Sequence, residues 1–370
     1  NYLKNEHLGY TEIQYLLLIS HLKNKKLSDA EQYFYHQAQQ FALNKNNYAK
    51  ASIAIALNRM GDQKVPKAIL NSLQQSAVNS KKEGMYWKTM NYSYWYEAPI
   101  ETQAMIIQAF EEVTHDYETV NELKTWLLRQ KQTHHWNQPK ATADACYALL
   151  LTGGDWKNST KKDIIKIDNK TLNEENMSAG TAYIKNTWQV ANGDKIPENI
   201  SIKKTKKSPS WGAIYYQYWE DLDQVKSSSE DLNIKRTLYK VISTETGETL
   251  EAITPNNTLK VGDKVRIKLE MNIQKDVEYF HLQDVRASGF EPLNVISGYK
   301  YQGGLGYYEV NGDAATHWYF NNLPKGNFVF EYSVYINTAG NYSSGIATGE
   351  CLYAPEFRFQ TNGGILNVKN

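Results

Sequence analysis

Two rhythms of apolar residues divide this chain. Between residues 8 and 152 the apolar positions recur at the three- and four-residue spacing of helices. Ile13, Leu16, Leu17 and Ser20 share one face, and Ala30, Phe34, Ala38 and Phe41 share the next. Ser28 and Glu31 form a capping-box pattern ahead of that second helix. A third helix runs through Ala51 to Leu57 and stops near Gly61, a C-cap glycine. Pro66 suits the first turn of a fourth, which carries Ala68, Ile69 and Leu73. Two more helices are expected near 99–113 and 139–152, with one between them carrying Val120, Leu123 and Leu127. The spacing therefore predicts about seven helices in roughly 150 residues.

A helical phrase occurs twice. Trp95 is followed by Glu101-Thr102-Gln103-Ala104, and Trp136 by Ala141-Thr142-Ala143-Asp144, with the two threonines 40 residues apart. A period of that length predicts stacked helical hairpins. The run from Ala141 to Leu151 is small and apolar nearly all round, so it is expected to be buried on both sides. Alternation of such helices with amphipathic ones predicts an inner and an outer layer, the α/α-toroid arrangement. Seven helices make only about half of a complete toroid. The chain also opens directly on helix-like sequence, Asn1-Tyr2-Leu3, and so reads as a piece of a longer protein.

From Trp156 the period changes to two. Val265, Ile267, Leu269 and Met271 alternate with Arg266, Lys268 and Glu270, and Phe328, Phe330, Tyr332, Val334 and Ile336 repeat the pattern. These are half-buried antiparallel strands, separated by turn clusters at Thr246-Gly247, Val261-Gly262-Asp263, Pro324-Lys325-Gly326 and Ala339-Gly340-Asn341. The apolar run Trp211 to Trp219 reads as a further strand, and the serine- and charge-rich stretch Lys226 to Asp231 as a linker. The fold class expected is thus α+β multidomain: a partial α/α toroid over 1–155, a smaller β unit over 156–231 and a β-sandwich over 232–370.

Charge and composition narrow the functional classes. The formal net charge is +1, which gives no electrostatic case for nucleic acid or an anionic membrane. No apolar run reaches membrane-span length. There are 27 tyrosines and 9 tryptophans, a content that suits β-sandwiches and contact surfaces as well as plain packing. The two cysteines, Cys146 and Cys351, exclude a disulfide scaffold and a CxxC metal site, while a single bridge between them stays open.

The chain carries no phosphate loop, zinc helix or nucleophile elbow. His134 and His135 diverge by about 100° on a helix, so they do not chelate one metal. Glu220, Asp221 and Asp223 read as a polar turn rather than an acid–base pair. Neither a cofactor nor a metal is expected. The segment Gly298 to Tyr308 is different: its glycines permit a tight loop, and Tyr299, Tyr301, Tyr307 and Tyr308 are candidate contacts with another domain or partner. The alternative is a hairpin whose tyrosines lie across a sheet. Glu350 to Phe357 reads as a strand broken by Pro355, with Tyr353 as a further candidate contact.

Taken in order, these phrases resemble the C-terminal part of bacterial α2-macroglobulin-like proteins. The resemblance is carried by Trp95-x-Glu97-x-Pro99-x-Glu101-Thr102-Gln103-Ala104, Trp126-Leu127-Leu128-x-x-Lys131, and Trp136 followed by Ala141-Thr142-Ala143-Asp144-Ala145. Trp211-Gly212-Ala213 and Tyr218-Trp219-Glu220-Asp221 follow. Leu282-x-Asp284-x-Arg286-Ala287-x-Gly289-Phe290-Glu291-Pro292, Leu323-Pro324-x-Gly326 and Tyr353-Ala354-Pro355-Glu356 complete the series. The resemblance implies a thioester-domain-like partial toroid at 1–155, the returning half of a CUB-like domain at 156–231, and a terminal macroglobulin-like, receptor-binding-type sandwich at 232–370. It further implies a non-enzymatic protease trap of the bacterial cell envelope, periplasmic or surface-exposed, whose partners are proteases and other domains of the same chain. The family's Cys-x-Glu-Gln thioester motif does not occur: Cys146 is followed by Tyr147-Ala148-Leu149 and Cys351 by Leu352-Tyr353-Ala354.

Two other readings compete. A polysaccharide lyase or glycoside hydrolase can also join a toroid to β-sandwiches, and would place its chemistry at Tyr92, Tyr94, Trp95 and His135. An interaction scaffold would use the same surfaces without trapping proteases.

Overall fold

The computed structural model describes residues 2–22, 26–88, 98–136, 138–151, 164–168, 170–171, 187, 189, 198–205, 212, 214–228, 232–254 and 258–370. Trp95, Glu97, Trp156, Trp211 and Ala213, like Tyr92 and Tyr94, lie outside them. The chain has a mixed helix-and-sheet architecture in two units. One holds residues 1–129 and 136–211, the other residues 130–135 and 212–370.

Seven α-helices occur among the described residues: α1 (Tyr10–Ile19), α2 (Asp29–Phe41), α3 (Asn47–Arg59), α4 (Val65–Ser76), α5 (Pro99–Thr114), α6 (Tyr117–Thr133) and α7 (Pro139–Leu151). The repeat is visible in how α5 and α7 begin. Each has proline at its first position, and Thr102 and Thr142 occupy the same place, with N–H groups bonded to Ala98 O and Gln138 O at 3.0 Å. The capping box at Ser28 and Glu31 forms as expected. The odd-numbered helices lie side by side, α1 on α3, α3 on α5 and α5 on α7.

The helix buried all round is α3, not α7. Every residue from Ala51 to Leu57 is buried, because α1, α4 and α5 each pack against α3. Among the described side chains of α7 only Ala141, Ala145 and Ala148 are buried, while Thr142, Cys146, Tyr147 and Leu150 are exposed. Its apolar composition suits burial on two sides, but among the described residues only α5 makes an extended contact with it.

A hairpin of β1 (Val78–Ser80) and β2 (Gly84–Tyr86) closes on the helices. Gly84 has φ +81°, and a Cβ there would meet Glu122 O at 2.3 Å, so only glycine allows this approach. Gln103 fixes the junction from inside the core: its Nε2 donates to Met85 O at 2.8 Å and to Leu123 O at 3.0 Å. Arg59 on α3 grips Glu112 on α5 with two bonds, Nε to Oε2 at 2.7 Å and Nη2 to Oε1 at 2.6 Å.

The same unit carries a small antiparallel sheet of β3 (Ile164–Ile167), β4 (Lys170–Thr171) and β5 (Ile200–Lys203), in the order β4-β3-β5. The strand expected at Trp211 to Trp219 does not form over its described residues, 212 and 214–219. Residues 214–219 pair with no strand, and Tyr215, Tyr216, Tyr218 and Trp219 are exposed. Strand propensity is not sufficient without a neighbouring edge.

The second unit is built from two antiparallel sheets. The first contains β10 (Val277–Val285), β12 (Gly298–Gln302), β13 (Leu305–Asn311), β14 (Ala315–Leu323), β17 (Ala347–Cys351) and β18 (Ala354–Gln360), ordered β12-β13-β14-β10-β17-β18. The second contains β6 (Leu232–Thr244), β7 (Gly247–Ala252), β9 (Lys264–Ile273), β11 (Phe290–Pro292) and β15 (Gly326–Ile336), ordered β11-β15-β9-β6-β7. A third, small sheet joins β8 (Leu259–Lys260), β16 (Gly340–Ser343) and β19 (Ile365–Lys369), with β19 and β8 parallel.

The period-two pattern is realised strand by strand. In β9 buried and half-buried residues alternate without exception. Val265, Ile267 and Leu269 meet Phe330 and Val334 of the same sheet and Phe280, Leu282, Trp318 and Phe320 of the other in one core. Within it lies a buried ion pair. Arg236 of β6 donates from Nε to Asp284 Oδ1 of β10 at 2.6 Å, and Tyr332 of β15 donates its hydroxyl to Asp284 Oδ2 at 2.5 Å. Asp284 is fully buried, and burial pushes the Tyr332 hydroxyl well above its ordinary value.

Two expectations change at β17 and β18. The strand is not broken at Pro355. It reverses at Leu352-Tyr353, after a register shift at Glu350/Cys351, and Pro355 sits in an edge strand that tolerates its missing N–H. Nor is Lys226 onward a free linker as far as it is described. Ser228 pairs with Gln360, Gln360 Nε2 donates to Lys226 O at 2.9 Å, and Ser227 N–H donates to Asn362 Oδ1 at 2.6 Å. Both cysteines are free, Cys146 exposed and Cys351 buried.

Asp284→Ala would strand the Arg236 guanidinium between the sheets. We expect it to destabilise the β unit by about 3–5 kcal/mol, read from its urea transition. Glu248→Ala, which removes the exposed partner of Lys264 and Arg266, should leave that transition almost unmoved. In the helical unit, burial raises the Glu101 carboxyl above its usual range, with Lys140 pulling it back and Asp144 pushing it up. The stability this gives is full below the unfolded value of about 4.3 and is lost as pH rises through the folded value. Glu101→Gln should therefore gain stability relative to the parent as pH increases from 4 toward 7. Thermal unfolding across that range checks the sign.

Candidate contact surface on the six-stranded sheet

The six-stranded sheet turns one face to the core and the other outward, and the outward face is aromatic. Its register aligns a single row of direct partners across all six strands. Tyr299 of β12 faces Tyr308 of β13, Tyr308 faces Tyr319 of β14, Tyr319 faces His281 of β10, His281 faces Glu350 of β17, and Glu350 faces Arg358 of β18. A second row runs Val310, His317, Gln283, Thr348 and Gln360. The row is thus aromatic over four strands and ends in an acid–base pair. Rows of this kind are the unit of cross-strand interaction in sheets.

The rings interlock. His281 and Tyr319 stack with centroids 4.6 Å apart and planes within 3°. His281 Nε2 and His317 Nδ1 are 3.0 Å apart, so one ring N–H is shared between two imidazoles lying nearly in one plane. Both are held below the ordinary histidine value, His281 by burial and then by His317, His317 by burial and then by Arg286. The pair is accordingly neutral at pH 7, and the aromatic half of the row carries no fixed charge.

The hairpin that begins the row answers the question left by its glycines. Gln302 pairs with Leu305 across Gly303-Gly304, whose φ angles of +58° and +84° make a two-residue turn of the kind that matches strand twist. Tyr299 and Tyr301 stand out from the face at 71% and 75% exposure. A Cβ on Gly306 would lie 2.3 Å from the Tyr299 hydroxyl, so the Tyr299 ring reaches across the glycine of the neighbouring strand. Tyr308 is exposed as well.

Tyr307 does not join them. It alternates inward, is only 4% exposed and packs against Phe320 and Phe330. Its place opposite Lys300 follows from the turn register, which sets Tyr307 on the same face as Leu305. Tyr353 lies at the β17–β18 turn, 78% exposed, with its ring edge-on to Tyr279 at 5.1 Å. Tyr279 itself has φ +51°, a conformation uncommon for a side chain of this size.

The structure therefore adds Tyr279, His281, His317 and Tyr319 to the residues expected from sequence. A signal for all four was available. Phe280, Leu282, Trp318 and Phe320 are the apolar partners of the alternation, so their neighbours in sequence had to face outward.

Other candidate chemistry is placed differently. Within the second unit, His135 N–H donates to Glu278 Oε2 at 2.9 Å and its ring Nδ1 meets the same oxygen, so His135 is tied to Glu278 while its side chain stays exposed. Asp221 lies beside an exposed turn at 222–224 and accepts the Gln224 N–H at 2.9 Å. Burial pushes the Cys351 thiol up to about 12, which makes it inert as a nucleophile. Among the described residues no group of three or more His, Cys, Asp or Glu side chains is arranged to hold a metal ion, and no helix is long and apolar enough to cross a membrane.

Residues 232–356 match the family model of the bacterial α2-macroglobulin MG10 domain. At the level of fold the chain is similar to trypsin-activated α2-macroglobulin from Escherichia coli, at 13% identity, 97% coverage of this chain, 25% of that chain and a TM-score of 0.43. The porcine-elastase-activated form from Escherichia coli gives 12%, 97%, 33% and 0.40, and the Salmonella α2-macroglobulin mutant Y1175G gives 15%, 97%, 22% and 0.32. Among curated proteins, circularly permutated Ras protein 2 of Dictyostelium discoideum is 22% identical over 224 residues, 58% of this chain and 6% of that protein. The chain thus spans a third or less of each of these proteins.

Tyr307→Ala should destabilise the β unit by about 3 kcal/mol, whereas Tyr299→Ala and Tyr353→Ala should each stay within about 0.5 kcal/mol of the parent. Urea unfolding of the three variants separates the ring that builds the core from those that face outward.

Proposed function

We propose that this chain is the C-terminal part of an α2-macroglobulin-like protease inhibitor of the bacterial cell envelope. The observation that carries the reading is the match of residues 232–356 to the bacterial MG10 domain. On this reading residues 232–370 are the terminal receptor-binding-type β-sandwich. Residues 156–231 are the CUB-like segment, and residues 1–155 are part of a thioester-domain-like α/α toroid. Two features support that plan: the side-by-side odd-numbered helices and the two sheets sharing one core.

This part of the molecule acts by contact rather than by chemistry. A trap of this kind works by rearranging domains after a protease cuts it, which requires surfaces that hold one arrangement and release it. The row Tyr299, Tyr308, Tyr319 and His281, with Tyr301 and Tyr353 beside it, is the surface proposed for that task, bound by other domains of the same protein. Tyrosine supplies large contact area at low cost in side-chain freedom, and its hydroxyl stays soluble when the contact opens. The buried Cys351 thiol and the unaccompanied Cys146 give this chain no thioester of its own.

The test uses the full-length protein. Treatment with an endoprotease should shift its mobility on a native gel, and the bound protease should still cleave small peptides while losing activity on large protein substrates. Unchanged mobility together with undiminished cleavage of large substrates would exclude the trap.

A further inference from the structure

On the inner face of the six-stranded sheet, four side chains converge in an arrangement richer than an ion pair. Glu309 of β13 is buried, and its Oε1 accepts from two nitrogens at once: Lys300 Nζ of β12 at 2.6 Å and Asn311 Nδ2 at 3.0 Å. Its other oxygen, Oε2, accepts the Trp318 indole N–H at 3.1 Å. The amine and the amide are thus held against the same oxygen atom, with an indole fixing the carboxylate's other end.

The far side of the Asn311 amide is engaged as well. Its Oδ1 accepts the Thr316 hydroxyl at 3.1 Å, and that hydroxyl accepts from Arg286 Nη1 at 2.9 Å. Thr316 is fully buried and Arg286 nearly so. Backbone carbonyls surround the Arg286 guanidinium. It is held by Gly312, Asp313 and Ala315 carbonyls, so its charge acts on Thr316 and hence on the amide oxygen. A charge-assisted donor aimed at a carbonyl oxygen draws electrons from the carbonyl carbon and stabilises an oxyanion forming there.

The geometry points to a covalent cross-link: an isopeptide bond between Lys300 Nζ and Asn311 Cγ, formed by this chain on itself. Glu309 takes a proton from the Lys300 ammonium. The freed Nζ lone pair attacks Asn311 Cγ, and the carbonyl electron pair moves to Oδ1, where the Thr316 hydroxyl holds it. Glu309 then gives its proton to Nδ2. The Cγ–Nδ2 bond breaks as the carbonyl reforms, and ammonia departs, taking the second proton from Nζ by way of the same carboxylate. An ammonium and a primary amide become a secondary amide and an ammonium ion, with no oxidant, reductant or co-substrate. The shared carboxylate serves as general base and then general acid, and the fixed positions replace a bimolecular encounter.

The bond would tie the edge strand β12 to the end of β13. That hairpin carries Tyr299, Tyr301 and Tyr308, so the cross-link would stop the edge of the aromatic face from peeling away. The inference does not depend on what that face binds.

The purified protein should be lighter than its sequence by the mass of one ammonia when denatured and weighed intact. Proteolysis should yield a branched peptide joined through Lys300 and Asn311, with no tryptic cleavage after Lys300. Glu309→Gln and Asn311→Ala should each return the chain to full mass for its new sequence. An unaltered parent mass after prolonged incubation overturns the proposal. So does a deficit traced to a succinimide at Asn311-Gly312, which hydroxylamine cleaves and an isopeptide bond survives. Because the parent itself is weighed, the outcome does not hang on whether either variant folds.

Discussion

The β unit depends on one buried charge pair. Asp284 sits on the six-stranded sheet and receives Arg236 and Tyr332 from the five-stranded sheet, at 2.6 and 2.5 Å. Burying two charges is costly, and a well-packed apolar pair could be as stable. What the pair provides is position. An arginine and a carboxylate this deep tolerate only the one stacking of the sheets in which they meet. A shift of one residue in β10 would drive Leu282 and Phe280 to the solvent and leave both charges without partners. The outward row of aromatic residues inherits its alignment from this constraint.

Chemistry divides the sheet by parity. Inward positions of β13 and β14 carry Tyr307, Glu309, Thr316 and Trp318, and outward positions carry Tyr308, His317 and Tyr319. One pair of strands thereby supplies both the contact surface and the Lys300–Glu309–Asn311 cluster beneath it. The two outer faces of the unit differ in kind. That of the five-stranded sheet pairs Lys264 and Arg266 with Glu248, and Lys268 with Glu270, an ordinary solvated surface. The face of the six-stranded sheet is aromatic and, through its neutral histidines, uncharged over most of its width.

Sequence alone went far where periodicity is strong and neighbours are local. The caps at Ser28 and Pro66, the start of α5 and α7 at equivalent prolines, and the alternation in β9 and β15 all follow from spacing within a few residues. Asp284 was visible as part of a motif, but its partner Arg236 lies 48 residues away, and no local pattern links them. Composition misled where it was used without topology. The small apolar residues of α7 suit a buried helix, yet burial is decided by how many neighbours surround it. Strand propensity at 214–219 likewise found no edge to pair with. Tyr307 could have been assigned to the core by counting from the two-residue turn. Counting that way requires knowing that Gly303-Gly304 forms such a turn, which the glycines permit but do not compel.

The strap at residues 226–228 has a mechanical meaning. It crosses the outer edge of β18 and is held there at Gln360 and Asn362. Val225 O, one residue earlier, accepts the Gly363 N–H at 2.8 Å, so a pull on the aromatic segment 214–219 would reach the β unit at Gly363 first and at β18 next. The segment and the sheet edge form a coupled line of tension, so a displacement upstream of residue 225 would be felt along residues 360–363 before it disturbed the core.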